Sequence, residues 1–185
     1  MMSKKGVMIM ADGFEEIEAI ATADTLMRLG LDVTLTGMAS SKVTGAHGIV
    51  IETATILADE SPAVYDAAIL PGGMPGSANL RDDARVIDFV KTVYTDGKVA
   101  AAICAAPIAL AKAGILDGKK ATCYPSFETQ FSDSTTYTGN RVEIDGRVLT
   151  AKGAGVSFDF AAALGSVLGV TQAKIDQTFA AMFKE

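Results

Sequence analysis

The reactive side chain around which the sequence is arranged is the thiol of Cys104, within the segment V-A-A-A-I-C-A-A-P-I-A-L-A-K-A of residues 99–113. The first five residues form a continuous apolar run, typical of a strand buried on both faces of a parallel sheet. Pro107 and the residues after it favour a helix. A nucleophile at a tight strand-to-helix corner between small residues is a nucleophile elbow. The pattern predicts an exposed Cys104 whose pKa is lowered by the amino end of the helix; the alternative is an inert, structural cysteine.

A second segment suited to chemistry is L-P-G-G at residues 70–73, which directly follows a predicted strand. Two successive glycines allow the backbone to approach a ligand closely and to present its N–H groups. Gly72 and Gly73 are therefore candidates for an oxyanion hole that the N–H group of Ala105 completes. The alternative is a plain turn, which is the commoner role of Pro-Gly and Gly-Gly pairs.

A third segment is acidic, with Glu15, Glu16 and Glu18 at the start of the first predicted helix. Acidic residues in a first turn commonly complement the helix dipole, and we assign Glu15 and Glu16 that role or a contact with a partner subunit. The carboxyl of Glu18 is expected to point into the crevice that holds Cys104. Desolvation there raises its pKa, so a protonated Glu18 donates a hydrogen bond to the sulfur and later acts as an acid or base.

Composition restricts the class of protein. The chain has 185 residues, of which 49% are hydrophobic, and a formal net charge of −6. These values predict one globular domain over residues 1–185. The acidic charge argues against a nucleic-acid partner, and no apolar run reaches the roughly 20 residues of a membrane span. We interpret the apolar residues 7–11 as a strand rather than as part of a signal peptide.

The chain contains two cysteines, Cys104 and Cys123, and a single histidine, His47. Without an export signal, the cysteines predict reduced thiols in a cytoplasmic compartment. Their spacing does not fit a zinc site, and one histidine makes a histidine-rich metal centre impossible, so we expect neither a metal nor another cofactor. Cys123 is interpreted as a core residue and His47 as a surface residue of a loop.

The order of predicted elements is that of an α/β protein. Its strands are predicted at residues 6–11, 32–38, 67–70, 99–103 and 121–124, with short strands or a hairpin in 43–56 and a hairpin of 142–144 and 148–151 around Asp145-Gly146. Its helices are predicted at residues 15–29, 81–94, from 107 onward, 156–168 and 171–183, with a helical turn at 127–131. The alternation predicts a doubly wound, mostly parallel sheet between helices, flavodoxin-like, with an antiparallel hairpin inserted. Because ligands bind at the carboxyl ends of such strands, the three reactive segments should meet there.

The motifs at these three segments resemble those of a known family. A-D-G-F-E-E-I-E-A at residues 11–19, L-P-G-G at 70–73 and A-I-C-A-A-P at 102–107 resemble motifs of the ThiJ/PfpI superfamily. The resemblance is to the branch that contains the Parkinson-disease-associated protein and its bacterial glyoxalase and deglycase relatives. The stretch L-T-A-K-G-A-G-V-S-F at residues 149–158 is also similar to that branch. The resemblance therefore covers essentially the whole chain, and it implies a fold similar to that of class I glutamine amidotransferases.

The resemblance implies roles for particular residues. It makes Cys104 the nucleophilic, oxidation-sensitive cysteine, Glu18 the protonated glutamate, and Gly72 and Gly73 the oxyanion glycines.

Two positions depart from the pattern of that superfamily. Protease-like members place a histidine where this chain has Ala105, and the closer branch often has a histidine where this chain has Tyr124. His47 matches neither position, so a Cys-His-Glu triad is not expected. Tyr124 remains a candidate for binding a substrate oxygen.

The resemblance implies three functions. The first is a glutathione-independent glyoxalase, converting a small α-oxoaldehyde such as methylglyoxal to lactate, or a deglycase acting on glyoxal adducts. The alternative is an oxidative-stress sensor or chaperone in which Cys104 becomes a sulfinate. A cysteine peptidase or amidotransferase comes third, because the histidine is missing.

The resemblance and the first helix together predict a homodimer. The residues assigned to the core-facing stripe of this helix are Ile17, Ile20, Ala21, Leu26 and Leu29. The additional small and apolar residues assigned to its outer surface are Ala19, Thr22, Ala23 and Met27. We therefore expect this helix to lie in a two-fold interface.

Overall fold

A seven-stranded sheet forms the centre of the computed structural model, which describes residues 3–184. Residues 1, 2 and 185 of the predicted domain lie outside the described part. The strands are β1 (Lys5–Met10), β2 (Asp32–Gly37), β3 (Lys42–Thr44), β4 (Val50–Glu52), β5 (Thr55–Ile56), β6 (Ala67–Leu70), β7 (Val99–Ile103), β8 (Lys120–Ala121), β9 (Thr136–Tyr137), β10 (Val142–Asp145) and β11 (Val148–Ala151). The order in the sheet is β10-β11-β7-β6-β1-β2-β5, and every neighbouring pair is parallel except β10 with β11.

Helices cover both faces of this sheet. They are α1 (Glu16–Arg28), α2 (Gly76–Asp82), α3 (Ala84–Thr95), α4 (Pro107–Lys112), α5 (Ser157–Val167) and α6 (Gln172–Ala181). The core on one face is closed by α1, α5 and α6, and the core on the other by α2, α3 and α4. The doubly wound, flavodoxin-like fold is thus confirmed. Among residues 3–184, no helix combines the length and the apolar character that crossing a bilayer requires.

The central strands explain where the site lies. In β6 and β7 every residue is buried, as the continuous apolar runs predicted. Strands β1, β6 and β7 are parallel neighbours, so their carboxyl ends lie at the same edge of the sheet. The segments that follow these strands are the three that carry the candidate site residues.

The orientation of α1 differs from the prediction. Ile17 and Ile20, assigned to the core, are exposed, whereas Ala19 and Ala23, assigned to the outer surface, are buried. The helix packs against α5 through these small side chains, which permit a close approach of the two helices. The larger isoleucines therefore point away from the core.

Two other elements also depart from the prediction. The helix predicted at residues 81–94 is two helices, because Asp83 is extended and its side chain accepts a hydrogen bond from the N–H of Arg85, at 2.8 Å, to begin α3. The strand predicted at residues 121–124 is limited to β8, which pairs with β9 outside the main sheet. The hairpin predicted at residues 142–144 and 148–151 is confirmed, since β10 and β11 pair antiparallel around a turn at Gly146 and Arg147, and β11 also joins the main sheet beside β7.

Candidate functional site

Cys104 lies at the corner between β7 and α4, as predicted. Its backbone has a φ of +62°, an uncommon conformation for a residue with a side chain, and it persists because neighbouring backbone groups hold it. The Cys104 N–H donates to the carbonyl oxygen of Ala151 at 2.8 Å, and its own carbonyl accepts from the N–H of Tyr124 at 2.8 Å. The thiol is partly exposed. The corner therefore presents the sulfur in a fixed direction.

Gly72 brings the first helix and the Cys104 corner into contact. A Cβ atom at this position would overlap Glu18 Oε2 and would lie 2.5 Å from Cys104 Cβ, so only glycine fits. The Gly72 N–H donates to Glu18 Oε2 at 2.9 Å. The assignment of this N–H group to the oxyanion hole is thereby corrected, because its hydrogen bond is made to Glu18.

The other two predicted N–H groups do meet at the sulfur. The backbone N–H groups of Gly73 and Ala105 donate towards the Cys104 thiol, and both favour its ionised form. Gly73 has a φ of +89°, in the region where glycine is preferred, and a Cβ atom there would lie 2.6 Å from the carbonyl oxygen of Gly13. These two groups can stabilise negative charge on the sulfur or on an oxygen bound beside it.

Glu18 is buried in the crevice, as predicted, with only 1% of its surface exposed. Burial is the main cause that raises the pKa of Glu18 from its usual 4.5 to about 7, against the lowering effect of the Cys104 and Gly72 hydrogen bonds. Its second oxygen, Oε1, is buried and accepts no hydrogen bond from residues 3–184. A proton on this carboxyl is therefore favoured near neutral pH, because an unpaired buried charge is unfavourable.

The predicted lowering of the Cys104 pKa is wrong while Glu18 is ionised. Burial, followed by the negative charge of Glu18 and their hydrogen bond, raises the pKa of Cys104 to about 12. These effects outweigh the N–H groups of Gly73 and Ala105. Each group opposes the ionisation of the other, so the pair retains one proton over a wide pH range. This proton lies either on Cys104 or on Glu18, and Cys104 is a thiolate in the form in which Glu18 holds it.

Tyr124 and Cys123 take different places beside this corner. The Tyr124 side chain is half exposed and meets the ring of Phe127 edge-on, while its backbone N–H holds Cys104. Cys123 is fully buried, which confirms its interpretation as a core residue, and burial raises its pKa to about 12. The two cysteines therefore differ in access to solvent.

A contact between Glu16 and His47 was not indicated by the sequence. Glu16 is buried, and its carboxylate accepts from the N–H of His47 at 2.7 Å and lies 2.7 Å from His47 Nδ1. The ring of His47 is exposed, as predicted, and its pKa is raised by this carboxylate. In the described chain, one side-chain O or N atom from each of Glu15, Glu16 and His47 also lies within 4.8 Å of the other two. No local pattern could have revealed the pair, because the β3–β4 hairpin brings His47 to α1.

Together these features define a class of protein. It is a doubly wound α/β protein with a cysteine at a nucleophile elbow, two backbone N–H groups at the sulfur, and a buried carboxyl that shares a proton with the thiol. Such an arrangement can add a thiolate to an electrophilic carbon, stabilise the negative oxygen that results, and transfer a proton.

Comparison with known proteins identifies the family. The profile of the DJ-1/PfpI family matches residues 4–166, and the chain belongs to this family. It is 40% identical over 164 residues to protein DJ-1 homolog B of Arabidopsis thaliana, and 34% identical over 164 residues to the glutathione-independent glyoxalase DJR-1.2 of Caenorhabditis elegans. These matches cover 88% and 87% of this chain, and 37% and 87% of the respective relatives. The chain thus spans only about two fifths of the length of the DJ-1 homologs A and B of Arabidopsis.

Solved structures agree with the fold. DJ-1beta of Drosophila melanogaster superposes with a TM-score of 0.94 at 33% identity, over 100% of both chains. An oxidised DJ-1 of Toxoplasma gondii superposes with a TM-score of 0.92 at 31% identity, covering 98% of this chain and 99% of that one.

The raised pKa of Glu18 makes the stability of the protein depend on pH. Because the pKa is higher in the folded chain than the usual 4.5, the stabilising contribution is complete below about 4.5 and is lost as the pH rises through about 7. The difference corresponds to about 3 kcal/mol. Urea unfolding of wild type and Glu18→Gln at pH 4.5 and pH 8 should show that wild type loses about 3 kcal/mol more than the variant over this range. Parallel pH dependences of the two proteins would contradict the burial of an ionisable Glu18.

Proposed function

We propose that the protein is a glutathione-independent glyoxalase that acts on small α-oxoaldehydes such as methylglyoxal. The observation that carries the proposal is the Cys104–Glu18 pair, which places a nucleophile and a proton carrier in contact beneath the N–H groups of Gly73 and Ala105. The glyoxalase named among the relatives supports it. Deglycation of glyoxal adducts requires the same groups. A peptidase lacks support, since the single histidine, His47, is bound to Glu16.

The reaction would use these groups in sequence. The Cys104 thiolate adds to the aldehyde carbon C1 of methylglyoxal, and the carbonyl oxygen takes the proton of Glu18 to form a hemithioacetal. The N–H groups of Gly73 and Ala105 stabilise that oxygen while it is negative. Glu18, now ionised, removes the proton from C1 and returns it to C2, while the hydroxyl proton moves to the C2 oxygen. The resulting lactoyl thioester is hydrolysed by water, which releases lactate, the thiolate and two protons, of which one returns to Glu18 and the other passes to solvent.

The test is the conversion of methylglyoxal to lactate without glutathione or added metal. We expect weak turnover in wild type, none in Cys104→Ala, and a decrease of about 10²–10⁴ in kcat for Glu18→Gln, because general acid–base assistance has that magnitude. Cys123→Ser is the matched control, since it changes a thiol that is buried away from solvent.

Tyr124 provides a further comparison in the same assay. Tyr124→Phe should change the rate only modestly, and Tyr124→His should raise it by adding a second acid or base. Full activity of Cys104→Ala would exclude the proposed reaction, and loss of activity in Tyr124→Phe would show that the phenol is a catalytic group.

A redox function is the second candidate, and the access of Cys104 to solvent favours it. Two successive reactions with hydrogen peroxide convert the thiolate to a sulfenate and then to a sulfinate, each releasing one water molecule. The protonated carboxyl of Glu18 and the N–H group of Ala105 would donate to the new oxygens. A relative, the DJ-1 of Toxoplasma gondii, has been solved in an oxidised form, which supports this second candidate. Both cysteines are free, which fits the reducing, cytoplasmic compartment that we propose.

Selective oxidation tests this second function. Peptide mass spectrometry after mild peroxide treatment should show two added oxygens on Cys104 and almost none on Cys123, because Cys123 is fully buried. Glu18→Gln, which offers a weaker donor, should decrease the sulfinate relative to other products. Earlier oxidation of Cys123 would contradict this ranking.

We also propose that the protein forms a two-fold homodimer through the outer face of α1. The sequence suggested Ala19, Thr22, Ala23 and Met27 for this interface. Ala19, Thr22 and Ala23 are buried inside the protein, so our proposal keeps only Met27 of these four. The large apolar side chains exposed on α1 and on the neighbouring hairpin are Ile17, Ile20, Met27, Ile49 and Val50. An exposed apolar surface of this kind is typical of an isologous interface.

Light scattering tests the assembly. Wild type should be a dimer at micromolar concentration, and Ile20→Lys should be a monomer, because a charge would be buried at the centre of the apolar face. Val64→Lys is the matched control, since Val64 is also an exposed apolar residue but lies on another part of the surface. A monomeric wild type would refute the interface.

A further inference from the structure

Glu15 makes two contacts that connect the parts of the site. Its side-chain Oε2 accepts a hydrogen bond from the backbone N–H of Glu18 at 2.7 Å, at the start of α1. Its backbone N–H donates to the carbonyl oxygen of Gly72 at 2.9 Å. A Cβ atom at Gly73 would overlap the Glu15 nitrogen, so the two segments are in direct contact. Glu15 thus touches the residue that carries the proton and the loop that supplies N–H groups to the site.

Glu15 carries a charge that is not needed to cap the amino end of a helix. The residues preferred at this position of a helix are Ser, Thr, Asp and Asn, and a neutral hydroxyl would accept the same hydrogen bond. The glutamate adds a negative charge that is held within one turn of the Glu18 carboxyl. This charge is one of the causes that raise the pKa of Glu18. It therefore favours the protonated carboxyl that accompanies the Cys104 thiolate.

We propose that Glu15 is a positioning residue, which aligns Glu18 and Gly72 with Cys104 and holds the proton on the Glu18–Cys104 pair. The groups that act on the Glu18 carboxyl are the Cys104 thiol at the end of β7, the Gly72 N–H after β6, and Glu15 on its own helix. This inference rests on the pair that the proposed function uses, and it does not depend on the identity of the substrate.

The test is the pH dependence of Cys104 alkylation by iodoacetamide, followed by mass spectrometry of the Cys104 peptide. In wild type the rate should rise with pH to a plateau with a midpoint at about 7, where the pair loses its first proton and the form with a thiolate beside a protonated Glu18 becomes populated. Glu15→Gln keeps a side-chain acceptor for the Glu18 N–H but removes the charge. Its midpoint should therefore be lower by about half a pH unit, and its plateau rate above the midpoint should be about threefold lower, because an ionised Glu18 then accompanies a neutral thiol more often.

Two further variants separate position from charge. Glu15→Asp keeps the charge and should restore the wild-type midpoint, which a purely structural role would not predict. Asp24→Asn removes a negative charge from an exposed position further along α1 and should leave the midpoint unchanged. Coincident curves for wild type and Glu15→Gln would overturn the proposal, as would an equal decrease in Asp24→Asn. If the alkylation curves are as expected but the protein shows no glyoxalase turnover, the proposed function is wrong and the role of Glu15 stands, since alkylation requires no turnover.

Discussion

The contact between the Glu18 carboxyl and the Cys104 thiol is the constraint on which the rest of the site depends. It exists because Gly72 leaves no side chain between the first helix and the strand-to-helix corner. Two groups that each oppose the ionisation of the other are held together by burial, and the result is a single shared proton. Neither residue alone has this property, since a lone buried thiol would simply remain protonated.

The topology of the sheet makes this contact possible. Strands β1, β6 and β7 lie side by side in the same direction, so the segments after them converge although they are distant in sequence. The close approach of these segments then excludes side chains at Gly13 and Gly76 as well as at Gly72. The glycines of this edge therefore serve packing first, and the N–H groups that they present are a consequence of that packing.

Features that depend on local pattern were predictable from the sequence. The continuous apolar runs of β6 and β7, the Cys104 corner and the burial of Glu18 follow from residue types and their order along the chain. The buried face of α1 was not predictable, because Ile17 and Ile20 also have helical spacing and the packing of Ala19 and Ala23 against α5 decides the orientation.

Features that depend on the combined effect of groups distant in the sequence were also not predictable from the sequence. The pair of Glu16 and His47 requires the β3–β4 hairpin to return to α1. The state of Cys104 likewise depends on the opposition of burial and charge to two N–H groups. Sequence indicates which groups are present at such a site, but their net effect requires the distances between them.

The backbone hydrogen bonds of Cys104 have a consequence for the maturation of the protein. Its conformation at positive φ is held by Tyr124 and Ala151, both of which follow it in the chain. During synthesis the strained corner therefore lacks one or both of these hydrogen bonds until the polypeptide has grown past β11. Newly made or truncated chains that end before β11 lack the arrangement that makes the sulfur selective. The thiol of Cys104 therefore becomes reactive only when the tertiary structure is complete.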